Sequence, residues 1–458
     1  MFRKNRPDLD ILNGPILSGM FRFAIPFAVS LIFTMCFNIA DVIVVGKFAG
    51  AAALAAVGAT SAPISVLVQS FSSLSLGVNV VVARHLGSGQ LRRAQNAIHT
   101  AVLFSLLLGL LLCVVGYLVC TPLLLAMNTP EDILPLTRKY LLIYFLGVPP
   151  MLMYQFSAAV LRSAGQTKKP LYYLTAAGIV NVCLNLVLVA VFHFDVAGVA
   201  IATAAAQYIS CILTVRCLMR QQQPLKLQLR QLRIDPTELG QIALYGIPSM
   251  ISSVIGSLSG TIIQSSINTF GSAAIAGNSA ANSLNNIAVA PLNAMISAVL
   301  TFTSQNCAAG KHGRVRSIFR YGLLSVVVLS AVFCTIPCVF ARPCLGIFLD
   351  AADPAFDEVI RFGTLRLLWV TLPAVIPYAA GVASSMVRGL GNAWLPSLAD
   401  ITFNCIFRVV WIFTAFAHQP TLACLYSSFP ISWVLLLGVQ LVCYAIYFKK
   451  WSRLGCHT

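Results

Sequence analysis

Charge is scarce in this 458-residue chain: only 9% of positions are Asp, Glu, Lys or Arg, against a hydrophobic share of 58%. A soluble globular domain carries about a quarter of its residues as charges, so the composition excludes a soluble enzyme. Disorder is excluded too, because 10% of the chain is aromatic and Phe alone numbers 27. Catalytic patterns are missing. There is no HExxH, no GxSxG and no phosphate-loop lysine motif, so neither metal-assisted hydrolysis nor ATP-driven transport has candidate residues. Gly87-Ser88-Gly89 lies in a basic joint and reads as a turn. The 14 cysteines form no CxxC pair; most sit in apolar stretches, as Cys36, Cys113, Cys183 and Cys405 do, and read as small packing residues.

Acids number 13 against 30 basic residues, a formal net charge of +17. In a soluble protein that balance would suggest nucleic acid. Here the basic residues are spread over short joints rather than gathered on a hydrophilic face, so no nucleic-acid partner is expected. Cytoplasmic loops of membrane proteins collect Lys and Arg, which set orientation and meet anionic lipid.

What the chain does have is long apolar runs. The polar joints divide it into about twelve windows of membrane-crossing length: 15–45, 52–83, 94–122, 135–161, 169–192, 196–217, 240–269, 273–307, 317–341, 359–387, 394–416 and 422–448. The first is too long for a signal-peptide core and counts as a span. The fold class expected is an all-α polytopic membrane protein with the lipid bilayer as its surroundings. With the N-terminus inside, Arg3, Lys4, Arg6, Arg92, Arg93, Lys168, Lys169, Lys449 and Lys450 all fall on the inner side. The outer side keeps Lys47, Arg138, Lys139, Arg342, Arg361 and Arg366 but holds Glu131, Asp132, Asp195, Asp350, Asp353, Asp357 and Glu358. A multi-pass protein of the plasma (inner) membrane with both termini cytoplasmic is expected.

The longest inner linker, 219–238, separates an N-terminal six-helix lobe, 1–218, from a C-terminal one, 239–458. The halves repeat. Ala24-Ile25-Pro26 answers to Gly246-Ile247-Pro248, and Phe48-Ala49-Gly50 to Phe270-Gly271-Ser272. Gly89-Gln90-Leu91-Arg92-Arg93 answers to Gly310-Lys311-His312-Gly313-Arg314, and Leu161-Arg162-Ser163-Ala164-Gly165-Gln166 to Val387-Arg388-Gly389-Leu390-Gly391-Asn392. Six spans per half give both halves one orientation, so the lobes are expected to be related by a pseudo-two-fold along the membrane normal, flanking a cleft. That is a transporter's plan.

Two acids fall inside spans. Asp41 sits among Phe37-Asn38-Ile39-Ala40 and Val42-Ile43-Val44-Val45. A carboxylate there costs roughly 3 kcal/mol or more unless it faces water, a partner or takes up a proton. It reads as the coupling residue; the alternative is an acid snorkelling outward beside Lys47. Pro26 and Pro248 remove a backbone hydrogen bond at matching places in the two halves, which allows bending and points to the substrate pathway. Asn181 and Asn185 share one helix face, and Thr203 lies in the small-residue sixth span; their oxygens suit a proton-linked network or a hard cation, and helix-packing hydrogen bonds explain them equally well. Asp400, Asn404 and Arg408 follow one another at helical spacing, either as an internal pair or as cleft lining. Asn278, Asn282, Asn285 and Asn286 make an amide-rich face of the eighth span, a candidate cleft lining. Tyr140, Tyr144, Met151 and Tyr154 read first as core, and as candidate lining second.

Two six-span halves, Pro26 and Asp41 in the first span, the Gly-rich basic joint after the second, the Arg162…Gly165…Pro170 signature and the Gly198-Val199-Ala200-Ile201-Ala202-Thr203 run together carry a resemblance. The chain resembles, over essentially its whole length, the multidrug and toxic compound extrusion (MATE) family, and within it the bacterial and archaeal branch of DNA-damage-inducible (DinF-like) and staphylococcal (MepA-like) exporters. The resemblance implies a monomeric antiporter: entry of protons or sodium drives export of cationic, lipophilic small molecules, with no organic cofactor and no structural metal. It maps the family's cation site onto Asp41, Asn181, Asn185 and Thr203, with sodium as the one metal ion in question. Many members have a second aspartate where Asn185 stands, and a lone carboxylate among amides leans towards protons. The acids that one branch uses in its seventh and tenth spans are absent around Gly256, Ser257 and Pro377. A lipid-linked oligosaccharide flippase of the same superfamily is the alternative; a membrane-embedded enzyme or receptor is disfavoured by the repeat and by the empty catalytic patterns.

Overall fold

A computed structural model describes residues 9–127, 129–348 and 354–454 of the chain. Arg3, Lys4, Arg6, His457 and the outer acids Asp350 and Asp353 lie outside the described residues. Among the described residues every regular element is helical, as lipid demands of a span whose backbone groups must bond internally. Helices α1 (Ile16–Val44), α2 (Gly50–Gly87), α3 (Leu91–Ala126), α4 (Leu134–Leu146), α5 (Val148–Ser163), α6 (Lys168–Asn185) and α7 (Asp195–Met219) form the first half. The second has α8 (Pro236–Asn268), α9 (Ser272–Ala308), α10 (His312–Phe333), the short α11 (Thr335–Val339) and α12 (Ala341–Gly346), α13 (Phe356–Arg366), α14 (Val375–Gly389), α15 (Trp394–Ile401), α16 (Phe407–Trp411) and α17 (Leu422–Leu454).

Ten stretches are long and apolar enough to cross a membrane, and α4 with α5, bent by 44° at Gly147, makes an eleventh. One of the ten, Ile16–Gly87, runs for 72 residues. Drawn straight, it would measure about 108 Å, more than three hydrocarbon layers. It is broken at Gly50, whose φ of +86° lies outside helical space. Its two limbs are separate spans, which brings the total to the twelve expected.

The repeat is written in the backbone. Among the described residues the glycines with positive φ are Gly50, Gly89, Gly165, Gly271, Gly310 and Gly391. They fall into three pairs, Gly50 with Gly271, Gly89 with Gly310 and Gly165 with Gly391, and the torsions within the first two agree closely: +86° with +90°, and +72° with +69°. Only glycine adopts such angles without a Cβ penalty. The joints that look alike in sequence are thus the same turns in space.

Two compact units result. The first holds Val29–Gly246; the second holds Asp10–Ala28 with the chain from Ile247 onward. Each half therefore lends the opening turns of its leading helix to the other, and the exchange falls beside Pro26 and Pro248. This differs from a cut at the 219–238 linker, for a physical reason. In the second unit Phe23 meets Phe302 edge-on at 6.3 Å, and Arg314 donates to the carbonyls of Ile11 and Gly14 at 3.0 and 2.8 Å. In the first, Gly77 and Gly246 bring two backbones so close that a Cβ on Gly77 would stand 2.3 Å from the Ile242 oxygen. His85 meets Glu238 at 2.8 Å. The linker itself is docked on α3: the Gln228 amide donates to His99 Nε2 at 3.1 Å, and the Asp235 amide to the Thr100 hydroxyl at 3.0 Å.

Candidate functional site

The first unit gathers four of the residues singled out above. Asn185, the last residue of α6, donates through its amide to the Asp41 carboxylate on α1. One turn back on α6, Asn181 donates to the Thr203 hydroxyl on α7 at 3.5 Å. Both asparagines are buried, Asn185 completely, and the side-chain oxygen of each has no partner. A buried acceptor left empty costs roughly 1–3 kcal/mol. Two such oxygens beside one carboxylate make a set of acceptors waiting for a proton donor or a hard cation.

Local backbone places them. Gly178 lets the Phe37 ring lie against α6: a Cβ there would stand 2.0 Å from the ring. Phe37 is one turn before Asp41, and Gly178 is two turns before Asn185, so this contact draws the two helices together at the polar cluster. Both site helices then turn π-helical, Val45–Ala49 after Asp41 and Leu186–Val191 directly after Asn185. Such wide turns gather at functional sites. Tyr140 and Tyr144 stack at 6.3 Å in the adjoining core, and a narrow hollow lined by Tyr144, Gly147, Met151, Thr203, Ala204 and Gln207 reaches the cluster. Gln207 was not singled out in the sequence; its place one turn beyond Thr203 was the available signal.

Other candidates lie elsewhere. Tyr154 is buried with Ala158 and Cys211 and donates to the Pro170 carbonyl at 3.4 Å. Pro26 and Pro248 lie inside α1 and α8. In the second unit the α9 amides are engaged: Asn278 donates to Gln264 at 2.8 Å and accepts from Tyr426 at 3.2 Å. Asn282 accepts from Arg366 at 3.0 Å, and Asn285 from Thr371 at 3.0 Å. Asp400 is not paired with Arg408. It binds Arg388 at 3.2 Å, while Arg408 donates to Asn404 at 3.0 Å and Ser432 at 3.2 Å and lies over the Phe429 ring at 4.2 Å. Arg366, counted with the outer side from sequence, ends α13 and reaches the exposed Asn282 on α9. A basic hollow of about 290 Å³ lined by Arg92, Gln95, Asn96, His99, Gln231 and Arg233 belongs to the docked linker, away from the buried cluster. Among the described residues no three His, Cys, Asp or Glu side chains converge as a metal site.

The family model for MatE matches the chain twice, over residues 26–187 and 248–414. The chain belongs to the MatE family. Each match opens on one of the two paired prolines, so the family unit is the repeat itself. A relative from Bacillus subtilis, probable multidrug resistance protein YoeA, is 27% identical over 84% of this chain and 83% of its own length. An FAD transporter from Shewanella oneidensis is 24% identical over 78% and 79%. A crystal structure of MATE in complex with MaL6 superposes with a TM-score of 0.90 at 18% identity, covering 97% of this chain and 98% of that one, and so shares the fold. MatE members are multi-pass membrane transporters, and this chain is a transporter, not an enzyme.

Proposed function

We propose that this MatE protein is a secondary antiporter that exports lipophilic small molecules, cationic ones in the first place, by alternating access across the plasma membrane in exchange for protons, with sodium as the second candidate ion. Both termini are cytoplasmic in this reading, and the working unit is one chain. The observation that carries it is the Asp41 carboxylate, held by Asn185 beside two buried amide oxygens that have no partner. A proton or sodium ion arriving at Asp41 neutralises the one charge of the cluster and supplies what the oxygens lack, so the ion and the local packing are coupled. The names of relatives support export of drug-like compounds.

The test is dye efflux from proteoliposomes under separate pH and sodium gradients. Asp41→Asn abolishes efflux while the protein still folds and inserts. Wild-type rates in that variant would overturn the reading.

A further inference from the structure

Three of the guanidinium groups in the spans of the second unit, Arg366, Arg388 and Arg408, have contrasting surroundings. Arg388 has a counter-charge, Asp400, at 3.2 Å, although its Nε is unbonded. Arg408 is bonded to Asn404 and Ser432 and rests on Phe429 and Trp433, at 4.2 and 5.6 Å. Arg366 has neither acid nor aromatic cushion of that kind. Its Nη2 donates to the Asn282 oxygen at 3.0 Å, and its Nη1 is buried without a partner.

Arg366 lies ten residues into the span Phe356–Gly389 and Asn282 ten into α9, each about 15 Å along its helix. Among the described residues no acid occurs in α9, α12, the turn 367–371 or α17. The acids of α13 itself, Asp357 and Glu358, lie two or more turns away and face Arg342 and Arg361. A guanidinium inside a span, with one nitrogen buried and unbonded and no counter-ion among the described residues, is costly and points to a functional position. The backbone agrees: a π-helical turn, Leu367–Thr371, begins directly after Arg366, as one begins directly after Asn185 in the other unit. Asn282 is exposed, so the position is open on one side.

We propose that Arg366, with Asn282 beside it, is a recognition position for an oxyanion carried by the transported compound, so that the substrates of this protein include zwitterions and organic anions bearing a carboxylate or a phosphate. A planar guanidinium with a free N–H edge matches either group, and the α9 amides add neutral donors at its rim. This rests on the transporter reading above and narrows its substrate class: the second unit selects for negative charge, whereas Asp41 handles the coupling ion.

The experiment uses one rhodamine as its free carboxylic acid, its methyl ester and its phosphate monoester, with binding read by fluorescence anisotropy on purified full-length protein in detergent. No ion gradient is present, so the result stands apart from the Asp41 efflux test. Wild-type protein prefers the acid over the ester by about tenfold or more, the value of one charge-assisted hydrogen-bonded contact. That preference falls towards unity in Arg366→Gln and in Asn282→Asp, which supplies an internal counter-charge, and survives in part in Arg366→Lys. Competition by the phosphate monoester, lost in the same variants, extends the class to phosphates; its failure to compete restricts the class to carboxylates. An absent preference in the wild type, or one that persists in both Arg366→Gln and Asn282→Asp, overturns the proposal.

Discussion

Asn185 donates to the Asp41 carboxylate across 144 positions of sequence, while its own oxygen stays unpartnered. The pair is a single carboxylate held by a neutral amide. Replacing Asn185 with Asp adds a second carboxylate at the same point. Sodium then gains the anionic ligands it needs to shed its water. In Asn185→Asp, efflux under an imposed sodium gradient rises relative to that under a pH gradient, and the ratio is read in the same proteoliposomes. Asn185→Leu, which removes both donor and acceptor, loses most transport under either gradient.

Gly178 governs how closely α1 and α6 approach. A methyl group there collides with the Phe37 ring, 2.0 Å from the nearest carbon. Gly178→Ala is expected to cost about 1–3 kcal/mol by overpacking, seen as a lower melting temperature in detergent. It also slows efflux, although no polar group is altered. Phe37→Leu in the same chain relieves the collision and restores much of both.

The Arg388–Asp400 pair is expected to serve the packing of the second unit rather than transport. Its side chains are 15% and 24% exposed, and removing one partner strands the other. Asp400→Ala alone should cost about 3–5 kcal/mol, whereas the double change Arg388→Met with Asp400→Leu comes close to neutral. Thermal unfolding of the two variants checks the difference. The double variant retains ion-coupled efflux; a stable but inactive double variant would instead make Asp400 part of the transport chemistry.

Gly50 and Gly271 test the duplication directly. Each has a positive φ, +86° and +90°, and nothing lies within 4 Å of where a Cβ would stand. Alanine at either place meets backbone strain alone, about 1–3 kcal/mol. The two single substitutions are expected to lower the melting temperature by similar amounts, and the double substitution by their sum.

Much of this architecture is legible in the sequence because lipid allows so few solutions. Runs of about twenty apolar residues give the spans, and glycines at fixed offsets give the joints. Asp41, Asn181, Asn185 and Thr203 stand out because each is polar within an apolar run, and helical spacing places the two asparagines on one face. What one-dimensional spacing could not supply is partnership between helices. Arg408 lies at the right interval from Asp400 along one helix, yet the acid turns to Arg388 on another. Arg366 reads from sequence only as an outer-side base, because its partner Asn282 lies on another helix, α9. Nor could the sequence show that residues 10–28 pack with the second unit, since that depends on the contacts of Phe23 and of the carbonyls of Ile11 and Gly14.

The three matched pairs of glycine corners carry one more consequence. A chain whose two copies keep matching corners is free to furnish each copy differently, because the walls no longer depend on what hangs between them. Here one copy has Asp41 among buried amides, and the other has Arg366 beside Asn282 with no counter-ion among the described residues. On the two proposals above, the duplicated scaffold divides its tasks by charge, the acid serving in one copy and the guanidinium in the other.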